Sequence, residues 1–193
     1  MTELTLVRHG KTQANIDGVY CGRLDLPLTQ EGLEDVRMTA LALSAFSPCR
    51  VYCSDALRTR QTADIIAPDT HIVVLPSLRE LDFGAFEGLG ADDIQCRMPQ
   101  AWQAYMGDYM GYTFPGGDNV HSYLTNASET INAIISEAQD GRVLVVSHKG
   151  FILSALSYLL HGDIEHIFCY DIQPAGFAKL SLGNGFAVLR QLA

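Results

Sequence analysis

The sequence has few basic residues for its length. Its 193 residues include 13 Lys and Arg against 22 Asp and Glu, which gives a formal net charge of −9. A protein that binds nucleic acid needs a basic face, so this balance excludes nucleic acid as the expected partner. A phosphorylated small molecule is compatible with an acidic chain only where Arg and His side chains converge in one cleft.

Signals for disulfides, membrane spans and export are also lacking. The number of cysteines, five, is odd and no CxxC pair occurs, which favours free thiols in a reduced, cytoplasmic protein. No apolar run reaches the roughly 18 residues of a membrane span. The first residues, MTELTLVRHG, lack the basic and apolar regions of an export signal. We therefore expect neither membrane association nor export.

What the sequence contains is an alternation of strand and helix patterns. Short β-rich runs occupy residues 4–7, 50–53, 72–75 and 143–146, and two more strands are predicted at 177–182 and 186–192. Four helices are predicted. Two of them follow Thr29 and Ser54, which serve as their N-caps. The third covers residues 120–135, which carry one apolar stripe, and the fourth lies around residues 152–160. The pattern predicts the α/β fold class, with a doubly wound, mostly parallel sheet flanked by helices on both faces.

The length predicts a single domain over residues 1–193. A less regular segment at about residues 88–117 is expected to cover the site. Polar groups that can hold a phosphate follow three of the predicted strands: His9 the first, Ser54 and Arg58 the second, and His148 the fourth. Because ligands of such sheets bind beyond the carboxyl ends of the strands, we expect these residues at one edge.

The tripeptide Arg8-His9-Gly10 combines three residue types that suit a phosphate site. A neutral imidazole is a nucleophile towards phosphorus near neutral pH. A guanidinium binds two phosphoryl oxygens at once, and glycine allows the backbone to approach a ligand closely. An isolated tripeptide of this kind is often a chance surface turn, but its position at the mouth of a buried strand favours a functional interpretation.

Five stretches, in order along the chain, resemble the signatures of the histidine phosphatase superfamily, also called phosphoglycerate mutase-like. They are LVRHGKTQAN (6–15), GRLDLPLTQEG (22–32), SDALRTRQTA (54–63), LRELDFGAFEG (78–88) and VVSHKG (145–150). The resemblance implies a phosphatase that works through a phosphohistidine, without a metal or another cofactor. His9 would be the nucleophile. Glu80 would protonate the leaving oxygen and then activate water.

The resemblance also implies the residues that surround the phosphoryl group. The groups that would stabilise its charge are Arg8, Arg58 and His148. The residues that would contact the phosphate or the rest of the substrate are Asn15, Gly22 and Lys149. The superfamily favours a small residue at position 149, so the ammonium group of Lys149 would either add to the anion site or point away.

Other residues have alternative interpretations. Asp82 is second to Glu80 for the acid role, and Arg60 is expected to be structural. The histidines outside the five stretches are interpreted as structural or surface groups: His71, His121, His161 and His166. One aromatic cluster forms either core or a wall above the site: Trp102, Tyr105, Tyr109 and Tyr112.

Within the superfamily, the compact layout is most similar to the bacterial alpha-ribazole phosphatase family, which acts in assembly of the cobalamin lower ligand. Asp118 departs from this family, which commonly has Glu there. Broad-specificity phosphatases share most of the same features, and phosphoglycerate mutases are longer. A binding protein that kept the fold and lost activity is disfavoured because the reactive residues are all present. The expected partner is a small phosphorylated metabolite, and a homodimer is left open.

Overall fold

The computed structural model describes residues 1–138 and 140–193. Within these residues six strands form one sheet. They are β1 (Thr2–Arg8), β2 (Arg50–Cys53), β3 (Ile72–Val74), β4 (Arg142–Ser147), β5 (Phe177–Gly183) and β6 (Phe186–Leu192).

The strands lie in the order β3-β2-β4-β1-β5-β6. β1 pairs in parallel with β4, β4 with β2, and β2 with β3. β5 runs antiparallel to both of its neighbours, β1 and β6. The sheet is therefore mixed and mostly parallel, as predicted. The carboxyl ends of β1, β2 and β4 share one edge.

Seven α-helices occur in the described residues. They are α1 (Gln13–Asp17), α2 (Gln30–Ala42), α3 (Leu57–Ile66), α4 (Ala91–Arg97), α5 (Pro99–Gly107), α6 (Val120–Ala138) and α7 (Lys149–His161). Thr29 caps α2 as predicted, because its side chain accepts a hydrogen bond from the N–H of Gly32. No helix in the part of the chain that the structure describes is both long and apolar enough to cross a membrane.

Helices cover both faces of the sheet, as the fold class requires. Alternate strand residues point to opposite faces. Leu6 and Val145 belong to a core cluster with residues of α6 and α7, whereas Val7 and Val146 pack in a second cluster with Ala63 of α3. The two central strands are buried on both sides. This burial holds the residues at their carboxyl ends in fixed positions.

Residues 88–117, predicted to be a less regular segment, contain the short helices α4 and α5, with turns and loops in the remainder. One prediction about local structure was wrong. Ser54 does not cap α3, which starts at Leu57 with Ala56 as N-cap and no side-chain cap. Instead, the Ser54 hydroxyl bonds to the imidazole of His148. Sequence pattern cannot distinguish the two roles, because a cap and a buried hydrogen-bond partner require the same hydroxyl.

Candidate active site

A cleft of about 340 Å³ opens at the carboxyl-terminal edge of the sheet, where β1 ends. Six of the eight residues selected from the sequence line it. The remaining two residues, His148 and Gly22, are buried behind this lining. The ring of His148 packs against His9, and the carbonyl of Gly22 accepts a hydrogen bond from Arg58. The lining residues are Arg8, His9, Thr12, Asn15, Gly18, Val19, Tyr20, Cys21, Arg58, Glu80, Phe83, Ala91 and Lys149.

The imidazole of His9 is held in one tautomer. Its Nδ1 lies 2.8 Å from the carbonyl oxygen of Gly10, which can only accept a hydrogen bond, so Nδ1 carries the proton. Nε2 then has a free lone pair. Burial, and secondarily the charge of Arg58, lowers the pKa of His9 to about 3. The ring is therefore neutral at neutral pH, which is the state that a nucleophile needs.

His148 is fully buried beside His9. Its Nε2 lies 2.8 Å from the Ser54 hydroxyl, which also bonds to Thr59 at 2.7 Å. Burial, followed by the charges of Arg58 and its other neighbours, lowers the pKa of His148 well below its ordinary value. An anion that enters the cleft would reverse part of this shift, because it would stabilise the protonated ring.

Two arginines approach the cleft from different elements. Arg8, at the end of β1, donates from Nη1 to the carbonyl of Ile172 at 2.7 Å. Arg58, in the first turn of α3, is fully buried and donates to the carbonyls of Gly22 and Leu24 at 2.9 and 2.8 Å.

Buried polar atoms without a partner concentrate at this place. Among the described residues, four buried side-chain nitrogen or oxygen atoms lack a hydrogen-bond partner. Three of them are Nε of Arg8, Nε of Arg58 and Nδ1 of His148. Because an unmade hydrogen bond is costly in a buried site, this clustering points to a ligand that accepts hydrogen bonds. A phosphoryl group has that chemistry.

Glu80 is buried in the cleft wall with its carboxylate held from three sides. Oε1 accepts hydrogen bonds from the N–H of Leu81 and the hydroxyl of Tyr123, both at 3.0 Å. Oε2 accepts one from the N–H of Gly150 at 3.1 Å. A Cβ at position 150 would come within 2.3 Å of Oε1, so only glycine allows this approach. The geometry places the carboxyl group of Glu80 in the same cleft as the imidazole of His9.

Asp82, the alternative acid, is engaged elsewhere. Its carboxylate pairs with Arg23 at 3.3 Å and accepts the N–H of Gly84 at 2.9 Å. Arg23 also pairs with Asp118 at 3.4 Å. Asp82 therefore belongs to a surface ion-pair group, while Glu80 lines the cleft. This placement favours Glu80 for the acid role, which stays a prediction.

The three residues expected to contact the substrate have different positions. Asn15 uses Oδ1 to accept the N–H and hydroxyl of Thr12, which leaves its amide nitrogen as the donor. Lys149 begins α7 in the cleft wall and pairs with Asp171 at 2.6 Å. The N–H of Gly22 donates to Glu87 at 2.9 Å, and the Gly22 carbonyl accepts from Arg58. Gly22 thus supports the site from behind.

The rings that line the cleft are not those of the aromatic cluster, which packs against the core, one of its two predicted roles. Tyr20 and Phe83 line the cleft, with ring centroids 5.1 Å apart. Tyr105 packs behind Tyr20 with a centroid distance of 6.2 Å. Tyr109 packs on Tyr105 at 5.6 Å, and burial raises the pKa of Tyr109 to about 12. The remaining two residues of the cluster, Trp102 and Tyr112, also pack against Tyr105.

The histidines outside the five stretches lie away from the cleft. The rings of His161 and His166, at the far end of α7, stack 4.1 Å apart, and His166 bonds to Asp163 at 2.8 Å. His71 and His121 are exposed. In the described part of the chain, no group of three or more His, Cys, Asp or Glu side chains could hold a metal ion.

Sequence reasoning missed several residues that shape the cleft. Tyr123 bonds to Glu80, Asp171 pairs with Lys149, and Glu87 bonds to the loop that carries Gly22. Only Glu87 had a signal, since it lies inside the LRELDFGAFEG stretch. Cys21 also lines the cleft, and burial raises the pKa of its thiol, which disfavours thiolate chemistry.

Comparison with known proteins agrees with this geometry. A sequence model described as the histidine phosphatase superfamily (branch 1) matches residues 4–193. The adenosylcobalamin/alpha-ribazole phosphatase of Escherichia coli K12 is 30% identical over 192 residues, covering 98% of this chain and 94% of that protein. A metal-independent phosphoserine phosphatase of Arabidopsis thaliana is 30% identical over 79% of this chain and 66% of its own length.

A solved structure shows the same fold. The crystal structure of the alpha-ribazole phosphatase from Shigella flexneri superposes with a TM-score of 0.92 at 27% identity, covering 98% of this chain and 95% of that chain. The likeness therefore extends over the whole sheet and its flanking helices and is not confined to the cleft.

Proposed function

The chain belongs to the histidine phosphatase superfamily and is a phosphatase, and we propose that it hydrolyses alpha-ribazole 5′-phosphate through a phosphohistidine on His9. One observation carries the mechanism. Three buried nitrogen atoms that lack partners among the described residues surround the neutral imidazole of His9. They belong to Arg8 and Arg58, which line the same cleft, and to His148, whose ring packs against that of His9. These donors would stabilise the charge of a transferring phosphoryl group.

In the first half-reaction, Nε2 of His9 forms a bond to phosphorus as the bond to the leaving oxygen breaks. The protonated carboxyl group of Glu80 gives its proton to that oxygen, and the alcohol leaves. In the second half-reaction, a water oxygen bonds to phosphorus as the N–P bond breaks. The proton of the water goes to Glu80, orthophosphate leaves, and both side chains return to their starting states.

The local charge of the cleft makes a phosphate substrate compatible with an acidic protein. Arg8, Arg58 and Lys149 line the cleft together with a single carboxylate, that of Glu80. Because the two arginines are largely buried, their charges are weakly screened and act strongly on a bound anion. The net charge of −9 is then a property of the rest of the surface.

Two observations support alpha-ribazole 5′-phosphate as the substrate. The Escherichia coli relative that bears this activity in its name aligns over 98% of this chain. In addition, the rings of Tyr20 and Phe83 form one wall of the cleft. A leaving group with an aromatic base can pack on such rings, whereas a small polar leaving group gains nothing from them.

A broad-specificity phosphatase is the second candidate. The Arabidopsis relative acts on phosphoserine and is also 30% identical to this chain. Its leaving group is small and polar. If the cleft tolerates such groups, the enzyme would hydrolyse many phosphomonoesters at comparable rates.

A substrate panel tests the proposal. Phosphate release is measured in excess chelator from alpha-ribazole 5′-phosphate, phosphoserine, 3-phosphoglycerate and a simple aryl phosphate. We expect kcat/KM for alpha-ribazole 5′-phosphate to exceed the others by at least about 100-fold. Comparable values would support the broad-specificity phosphatase. Exchange between 2- and 3-phosphoglycerate without hydrolysis would indicate a mutase, and activity that chelator removes would contradict metal independence.

A further inference from the structure

The carboxylate of Glu87 lies behind the cleft and accepts hydrogen bonds from four backbone N–H groups. Three are consecutive, on Gly22, Arg23 and Leu24, at 2.9, 2.8 and 3.3 Å. The fourth, on Phe83, lies at 3.3 Å. Hydrogen bonds to a charged acceptor are stronger than neutral ones. One side chain therefore holds the loop of residues 22–24.

The same loop holds Arg58 from its opposite side. Nη2 and Nη1 of Arg58 donate to the carbonyls of Gly22 and Leu24 at 2.9 and 2.8 Å. The peptide group between Gly22 and Arg23 takes part in both interactions. Its N–H points at Glu87 and its C=O points at Arg58. Because these groups point in opposite directions in a trans peptide, one peptide plane connects the carboxylate to the guanidinium.

This peptide has only one favourable orientation. A reversed plane would direct the Gly22 carbonyl at the Glu87 carboxylate and the Arg23 N–H at the Arg58 guanidinium, so both contacts would become repulsive. Glycine at position 22 allows the loop to lie close to the backbone of Leu81, since a Cβ there would lie 1.9 Å from the Leu81 carbonyl oxygen. Glycine also has the greatest backbone freedom, so the orientation depends on Glu87.

We propose that Glu87 is a positioning residue of the phosphate site, which fixes the Gly22–Arg23 peptide and through it the guanidinium of Arg58. The inference rests on the proposed function, because it takes Arg58 as a phosphate ligand. Arg58 is fully buried, and its Nε has no partner among the described residues. A small displacement of its guanidinium would therefore change the donors offered to a phosphoryl group.

Two variants of Glu87 test the role, with orthophosphate as the probe. Glu87→Ala should raise the Kd of orthophosphate and lower kcat/KM by about 10- to 100-fold. Glu87→Gln should give intermediate values, since its Oε1 can still accept the N–H groups of Gly22, Arg23 and Phe83. Asp163→Ala is the matched control, because Asp163 also accepts a loop N–H, at 2.9 Å, but at the far end of α7. It should leave both constants unchanged.

A double-mutant cycle with Arg58→Lys separates positioning from a general effect on the fold. If Glu87 acts through Arg58, removing Glu87 in the Arg58→Lys background should change the Kd of orthophosphate less than about 2-fold. Fully additive losses would overturn the role, as would Glu87→Ala with wild-type affinity. If Glu87→Ala does not fold, the cycle is run with Glu87→Gln.

The same measurements distinguish the failure of this inference from failure of the proposed function. A wild-type protein that binds orthophosphate but hydrolyses no ester contradicts the proposed function. The double-mutant cycle, which measures orthophosphate binding, then still decides the role of Glu87. A wild-type protein that hydrolyses its ester while Glu87→Ala does so equally well contradicts the role of Glu87 alone. Absence of orthophosphate binding in the wild type contradicts both.

Discussion

The ring centroids of His9 and His148 lie 5.1 Å apart, with the ring planes at 63°. Both rings are buried, and the charge of His9 is among the causes that lower the pKa of His148. Two imidazoles this close cannot both be protonated easily in a buried site. A phosphoryl group between them would favour one neutral nucleophile and one protonated donor. The tautomer of His9, set by Gly10, leaves a free lone pair on Nε2, which supports the proposed assignment of His9 as the nucleophile.

Replacing His9 tests this assignment. His9→Ala should abolish formation of an acid-labile phosphohistidine and lower kcat by at least about a thousand-fold, because it removes the imidazole that forms the bond to phosphorus in the proposed mechanism. Labelled phosphate on the quenched enzyme is the measurement. His121→Ala, which changes an exposed histidine outside the cleft, is the control and should keep wild-type labelling. Substantial turnover by His9→Ala would contradict the mechanism.

The acid role is tested at Glu80. Glu80→Gln keeps the shape of the side chain but cannot donate the carboxyl proton, so kcat should fall by about 100- to 10,000-fold. The Kd of orthophosphate should change far less. Asp82→Asn is the matched variant, since Asp82 pairs with Arg23 outside the cleft. A normal rate for Glu80→Gln together with a slow Asp82→Asn would transfer the acid role to Asp82.

Stability should fall on acidification because of His9. Its native pKa is about 3 and its unfolded value is 6.5, so between these values the unfolded state binds more protons. The free energy of unfolding should therefore decrease as pH falls below 6.5, by about 2 kcal/mol from His9 between pH 7.5 and 5. Thermal unfolding in phosphate-free buffer measures it. His9→Asn removes the group, and its melting temperature should depend less on pH over the same range.

Lys149 and Asp171 should have opposite effects on substrate affinity. They pair at 2.6 Å at the rim of the cleft, and both side chains are about half exposed. Lys149→Ala removes a positive charge and should raise KM by about 2- to 5-fold, as expected for an exposed charge. Asp171→Asn frees the ammonium and should lower KM. If both variants have the KM of the wild type across a salt series, the ammonium group of Lys149 points away from the substrate.

The sequence by itself determined the strands and the main helices. The apolar stripe of residues 120–135 predicted α6, and the apolar runs before His9 and Ser147 predicted β1 and β4. These signals are local, because each depends on a periodicity within a few turns or residues. The rule that ligands of such sheets bind beyond the carboxyl ends of the strands is why His9, Arg58 and His148 were expected together at one edge, whereas the order of the strands came from the structure.

Only the tertiary structure decided which polar groups meet behind the cleft. Ser54 and His148 are 94 residues apart, and Gly22 and Glu87 are 65 residues apart. The sequence predicted a helix cap for the Ser54 hydroxyl, since a cap and a buried hydrogen-bond partner need the same functional group, and it gave Glu87 no role beyond its place in the LRELDFGAFEG stretch. Their partners are set by how the helices pack on the sheet. Packing joins positions that are distant along the chain, and no local pattern in the sequence records it.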